Sequence, residues 1–148
     1  MKKFKLAFIL LACVFLVGCS NSKEVVDGNA FLERAREAGF TPKDIKESYN
    51  SFATNAYLID SDFKVIYVEG KNVYDIEGVF LDECNNVNIK LTKDAKVKHD
   101  SGKNWALYTA TDLGNYFYIS LIDNTYVYIE GKEENKDRIN KLIDTIGY

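Results

Sequence analysis

Thiol and imidazole side chains are scarce in this chain of 148 residues. Cysteine occurs only as Cys13, Cys19 and Cys84, and histidine only as His99. A thiolate can act as a nucleophile or a metal ligand, and an imidazole as a base or a ligand. Their spacing matches no zinc motif, and a site built on one cysteine and one histidine would need carboxylates to complete it. We therefore expect no metal, and the surroundings of each residue must indicate its role.

The surroundings of Cys19 are the most informative. Lys2, Lys3 and Lys5 form a basic start, and Leu6–Gly18 is uncharged and mostly apolar. A membrane-spanning helix needs about 20 apolar residues, so this run is too short to be a permanent anchor. The layout is that of a secretory signal, and we predict a removable signal peptide over residues 1–18.

The leader ends in Leu16-Val17-Gly18-Cys19, which resembles the lipobox of bacterial lipoproteins. The resemblance implies a diacylglyceryl group on the Cys19 thiol, cleavage between Gly18 and Cys19, and a place on the extracytoplasmic face of the cell membrane. Two acyl chains, at about 0.8 kcal/mol per buried CH₂, are sufficient for stable anchoring. We expect no other cofactor. An ordinary secretory signal with a chance cysteine is the alternative.

The charge balance excludes some partners. The whole chain has 19 Lys and Arg against 22 Asp and Glu, and loss of the three leader lysines leaves 16 against 22, a net charge of −6. Nucleic acids are bound through clustered basic residues, so we expect no nucleic-acid partner. The same balance argues against electrostatic adhesion to anionic lipid, which leaves the lipid anchor to hold the protein.

Three segments follow from the sequence: the signal peptide over 1–18, the lipidated Cys19 with a polar tether over 19–28, and a single α+β domain over 29–148. Periodicity predicts the element order α-α-β-β-α-β-β-β-α, an antiparallel sheet with an N-terminal hairpin, a C-terminal three-stranded meander and flanking helices. The expected elements are helices over Asn29–Ala38, from Thr41, along the stripe Val73–Val87 and from about Glu133 to Ile146, and strands over Asn55–Asp60, Phe63–Glu69, Asn104–Thr111, Tyr116–Ile122 and Thr125–Glu130. Residues 92–103 are expected to form a charged loop.

The terminal meander has two apolar faces if Asp123-Asn124 is a two-residue turn. Leu121 then pairs with Tyr126, and Ile119 with Tyr128. One face carries an aromatic-rich set that could bind a partner: Tyr108, Phe117, Ile119, Leu121, Tyr126 and Tyr128. Either helices cover this face, as is usual for large aromatics, or it stays exposed as a binding surface.

Other candidates for chemistry are weaker. Cys84 lies on an apolar helical stripe, where a thiol is buried and inert. His99 lies in a basic segment without a visible partner. Asp60-Ser61-Asp62 lacks the further ligands of a calcium loop, and Ser101-Gly102-Lys103 lacks the first glycine of a phosphate loop. We predict no catalytic residue.

The end of the chain, with Ile122-Asp123-Asn124-Thr125 before a strand and a charged helix closing on Gly147-Tyr148, is similar to small lipoproteins of Gram-positive bacteria. That resemblance implies no particular activity. We expect a non-catalytic binding module with a protein or peptide partner and leave its oligomeric state open. Two alternatives remain: a PepSY-like inhibitor of a secreted protease, because the order over Phe31–Glu69 loosely resembles those domains, and a cell-envelope hydrolase that uses carboxylates.

Overall fold

The structure is a computed structural model that describes residues 21–49 and 51–148. It is an α+β fold, as predicted, in which three α-helices pack on a seven-stranded sheet. The helices are α1 (Gly28–Glu37), α2 (Val73–Asn88) and α3 (Lys136–Ile146). The strands are β1 (Lys43–Asp44), β2 (Ala53–Asp60), β3 (Phe63–Gly70), β4 (Lys96–Ser101), β5 (Trp105–Asp112), β6 (Asn115–Ile122) and β7 (Thr125–Lys132). Short 3₁₀ turns occupy Lys46–Tyr49 and Glu133–Asn135.

The strands run in the spatial order β1-β2-β3-β7-β6-β5-β4, and every neighbouring pair is antiparallel. The N-terminal hairpin β2–β3 therefore joins the C-terminal meander through β3 and β7. This arrangement leaves β1 and β4 as the two edges of the sheet. The edges differ in length, with two residues in β1 and six in β4.

The meander has the predicted register. Leu121 pairs with Tyr126 and Ile119 with Tyr128 across the turn at Asp123, whose φ of 49° provides the left-handed conformation of a tight hairpin. The other turn is tighter than predicted: Asp112 pairs with Asn115, so only Leu113 and Gly114 form the loop, both with positive φ.

Each face of the sheet is covered by helices. On one face, α1 and α3 pack over side chains from β2, β3, β6 and β7. On the other face, α2 packs over β5, β6 and β7. Both apolar faces of the meander are therefore core. Gly147, with a φ of 90°, ends α3 as predicted and turns Tyr148 back into the first core.

Two expected elements are wrong. The segment from Thr41 does not begin a helix. Lys43 and Asp44 pair with β2, and Asp44 then accepts a hydrogen bond from the Lys46 amide at the start of a 3₁₀ turn. The predicted loop over 92–103 contains strand β4, because Lys96–Ser101 pairs in full with β5.

Candidate functional site

The aromatic-rich face is not a free surface. Tyr108, Ile119, Leu121, Tyr126 and Tyr128 are all buried beneath α2, and Phe117 is partly buried beside them. The apolar stripe of α2 covers this face. The hypothesis of an exposed binding face on these residues is therefore wrong, and the alternative of a helix-covered core is correct.

The buried tyrosines have structural hydrogen bonds. Tyr108 donates its hydroxyl to Asn88 Oδ1 at 2.8 Å, and Tyr128 donates to Glu130 Oε2 at 2.7 Å. Burial raises the pKa of both phenols, since the charged form would lose its hydration. These phenols stay neutral. The Tyr108–Asn88 hydrogen bond ties α2 to β5, and the Tyr128–Glu130 hydrogen bond lies within β7.

Cys84 is fully buried on α2, as its sequence surroundings predict. Burial raises the pKa of its thiol, and the nearby Glu83 carboxylate adds to that effect. A neutral, enclosed thiol is a poor nucleophile. Cys84 is therefore a core residue.

His99 lies on strand β4 and not in a loop. Its ring contacts the edge of Tyr108, with centroids 5.0 Å apart. Partial burial lowers the pKa of the imidazole. The ring packs on Tyr108 at the edge of the sheet, and among the described residues no carboxylate hydrogen-bonds to it.

The predicted turn at Asp60-Ser61-Asp62 is confirmed, since β2 ends at Asp60 and β3 begins at Phe63. Asp62 forms an ion pair with Arg138 of α3. This carboxylate therefore ties the hairpin to the terminal helix, which is a structural role.

A buried carboxylate that sequence reasoning missed is Asp112. It accepts hydrogen bonds from the Thr92 amide at 2.8 Å and the Thr92 hydroxyl at 2.6 Å. These hydrogen bonds lower the pKa of Asp112. Asp94 and Glu133 line a shallow cleft of about 300 Å³ with it, but Asp112 is committed to fastening the chain before β4. Its sequence neighbours gave no signal, because Thr92 is twenty residues away.

The larger cleft, of about 370 Å³, lies between the end of α1 and α3. Glu37 is its one acidic lining residue, and Arg138 and Lys141 line the opposite wall. A glycosidase needs two carboxyl groups facing the scissile bond, and this cleft has one. Within the described residues, no three His, Cys, Asp or Glu side chains lie close enough to hold a metal ion.

Strand β4 is the longer of the two exposed edges of the sheet. Residues 96–100 are all exposed. Gly102 donates its amide to the Trp105 carbonyl, and in an antiparallel ladder the bonded residues alternate. The backbone N–H and C=O groups of Lys96 and Lys98 therefore form hydrogen bonds with β5. Those of Val97 and His99 point away from the sheet.

The N-terminal segment is attached to the domain. The carboxamide of Asn104 accepts from the Lys23 amide and donates to the Lys23 carbonyl, both at 2.9 Å. The Asn21 carbonyl accepts from the Trp105 indole and from the Lys103 amide. We call this set of contacts the Asn104 clamp.

The clamp continues into the core. Val26 is buried, and its carbonyl accepts from the Tyr67 hydroxyl at 2.6 Å. Gly28 donates its amide to Glu69. In its described part, the predicted polar tether over 19–28 is fixed to the domain by paired hydrogen bonds and by the burial of Val26. Cys19, Gly18 and the predicted signal peptide lie outside the described residues.

None of the described helices has the length and apolar character needed to cross a membrane. No protein-family model matches the chain, and a search of curated proteins finds no match. One solved structure, a GTP binding regulator from Thermotoga maritima, is similar over 78% of this chain and 87% of its own, with 13% identity and a TM-score of 0.46.

Proposed function

We propose that this protein is a lipid-anchored binding protein of the extracytoplasmic membrane face, which pairs strand β4 with an extended segment of a partner protein. The observation that carries the binding function is the edge of β4, where residues 96–100 are all exposed. The lipid anchor is proposed from the lipobox-like sequence at Leu16–Cys19.

Strand addition suits this edge physically. An added strand would hydrogen-bond to the outward backbone groups of Val97 and His99, and side-chain pairs would then select the partner. Lys96 and Lys98 lie on one face of β4, with Asp100 the one acid in the strand. The partner segment is therefore expected to carry carboxylates at alternate positions.

The other edge of the sheet, β1, is too short to pair with a partner strand. Strand β1 has two residues, Lys43 and Asp44, and a 3₁₀ turn follows at Lys46. A partner strand there would find too few backbone groups. No contact of the described residues specifically favours the inhibitor or the hydrolase alternative.

A photoreactive side chain at Lys98 in intact cells tests the binding function. We expect one discrete protein adduct, and no such adduct from the same group at Lys141 on α3, which is also exposed. Val97→Pro, added to the Lys98 variant, removes an N–H that points away from the sheet and keeps the hydrogen bonds between β4 and β5. It should therefore abolish the adduct. Val97→Thr keeps that N–H and should preserve it.

Two outcomes contradict strand addition. One is an adduct that survives Val97→Pro. The other is the same adduct from Lys141. Circular dichroism of the proline variant checks that loss of the adduct does not reflect unfolding.

The anchor has a separate test. Cys19→Ser should move the protein from the membrane fraction to the medium or leave it unprocessed. A Cys84→Ser control should stay processed and membrane-bound, because the buried Cys84 has no part in anchoring. Normal processing and membrane retention of Cys19→Ser would refute the anchor.

A further inference from the structure

The Asn104 clamp fixes the position of Asn21, where the described part of the chain begins. Asn21 is held at the turn between β4 and β5 by the Lys103 amide and the Trp105 indole. Cys19 is two residues earlier, which is at most about 7 Å of extended chain. The proposed lipid attachment therefore lies close to this end of the sheet.

Several exposed side chains share that end. Strand β3 ends at Gly70 and strand β5 begins at Trp105, so the start of α2 and the β4–β5 turn are neighbours. Val73 lines one cleft with Lys103 and Trp105. Tyr74 is 83% exposed there, the highest exposure among the large hydrophobic side chains described.

The same end carries aromatic rings and charges of both signs, with Glu77 lining the same cleft as Lys103. Lys71 and Lys103 are exposed, and Lys23 lies 4.8 Å above the Trp105 ring. Asp75 and Asp123 are also at this end, where their carboxylates accept hydrogen bonds from Asn72 and Asn104. Tyrosine and tryptophan favour the headgroup level of a bilayer, where their amphipathic rings can contact both water and lipid.

We propose that the Asn104 clamp orients the domain so that the end formed by Lys23, Lys71, Tyr74 and Lys103 lies against the lipid headgroups of the bilayer that holds Cys19. This orientation rests on the proposed lipid anchor. It places the turns at Ser61 and Leu113 at the end of the sheet that faces away from the membrane. Because the strands are eight residues long and rise about 3.3 Å per residue, these turns lie about 26 Å farther from the bilayer than the end that contacts it. Strand β4 then stands upright at the side of the domain, open to a partner.

The test uses the protein purified from cells that express the full chain, mixed with vesicles of phosphatidylcholine and phosphatidylglycerol. An environment-sensitive fluorophore is attached at Tyr74→Cys or, as the matched control, at Ser61→Cys on the opposite turn. The buried Cys84 should not label in the folded protein. A nitroxide on the lipid headgroups then quenches according to distance.

We expect quenching at position 74 to be severalfold stronger than at position 61, with a blue-shifted emission only at position 74. Asn104→Ala, which opens the clamp, should shrink that difference. Equal quenching at the two positions, or an unchanged difference in the Asn104→Ala variant, would overturn the proposed orientation.

Flotation of the vesicles separates the two proposals. Protein that floats with the vesicles but shows equal quenching refutes the orientation and leaves the anchor standing. Protein that does not float refutes the anchor and, with it, the orientation.

Discussion

Asn104 holds Lys23 by both ends of its carboxamide, accepting from the Lys23 amide and donating to the Lys23 carbonyl, each at 2.9 Å. The same carboxamide nitrogen reaches Asp123 at 2.9 Å. One side chain thus joins the N-terminal segment, the start of β5 and the β6–β7 turn. The segment that leads to the proposed anchor becomes part of the folded domain.

Opening this clamp should loosen the segment without unfolding the core. Asn104→Ala removes three hydrogen bonds and leaves partly buried groups unpaired, which costs on the order of 1–3 kcal/mol. We expect faster hydrogen exchange at the Lys23 amide and a lower urea midpoint. Asn86→Ala, at an exposed position on α2, is the control and should change neither; slow exchange at Lys23 in the Asn104 variant would contradict the clamp.

The lysines of β4 should keep the edge from pairing with itself. Exposed sheet edges associate unless charge prevents it, and Lys on an edge strand is a common protection. We therefore expect Lys96→Ala with Lys98→Ala to raise self-association severalfold in analytical ultracentrifugation. The control variant Lys90→Ala with Lys93→Ala, outside the strand, should not change self-association. A double β4 variant that stays equally monomeric would argue against an accessible edge.

The hydrogen bonds between Thr92 and Asp112 should make the free energy of unfolding depend on pH in the acidic range. Hydrogen bonds from Thr92 lower the folded-state pKa of Asp112, so its stabilisation is present above the unfolded pKa and is lost as pH falls through the folded pKa. Wild type should lose more stability than Asp112→Asn between neutral pH and about pH 3. Denaturant midpoints measured across this pH range test the prediction, and Asp82→Asn, at an exposed position, is the control. If wild type and Asp112→Asn lose stability in parallel, the Thr92–Asp112 hydrogen bonds do not stabilise the fold.

Cys84 should be protected from reagents while the protein is folded. Its thiol is buried and its pKa is raised by that burial, so little thiolate is present and none is reachable. Peptide mass spectrometry after alkylation at mildly alkaline pH should find position 84 unmodified in buffer and modified in denaturant. Rapid modification of the native protein would show that α2 opens readily.

The last residue should contribute to stability. Tyr148 is buried and donates its hydroxyl to Thr125 Oγ1 at 2.7 Å, while the Thr125 hydroxyl donates to the Ile122 carbonyl at 2.8 Å. Tyr148→Phe should cost about 1 kcal/mol for the lost hydrogen bond, and Tyr148→Ala about 3–5 kcal/mol for the lost ring. Thermal unfolding measures both losses of stability. If wild type, Tyr148→Phe and Tyr148→Ala were equally stable, the contacts of Tyr148 would not stabilise the fold.

The meander could be predicted in detail because its signals are local. The alternation of apolar residues and the turn at Asp123 fix the pairing of Leu121 with Tyr126, and the structure has that register. Helices α2 and α3 were predicted for the same reason, from apolar residues at helical spacing that become their buried faces.

Strand β4 could not be predicted this way. Residues 96–100 are all exposed, so no buried face imposes an alternating pattern, and the pairing with β5 defines the strand. The clamp was hidden for a related reason: it depends on Asn104 meeting Lys23, 81 positions earlier, and contacts at that range leave no periodic trace. The burial of Tyr126 depends on where α2 lies, which the strand pattern does not specify.

The proposed location and the proposed orientation both depend on the lipid anchor. Intact-mass spectrometry of the protein extracted from membranes, followed by sequencing of the N-terminal peptide, tests it most directly. We predict a mature chain that begins at Cys19 and carries a diacylglyceryl group on its thiol. A chain that retains residues 1–18, begins at another residue, or has an unmodified Cys19 would refute the lipid anchor.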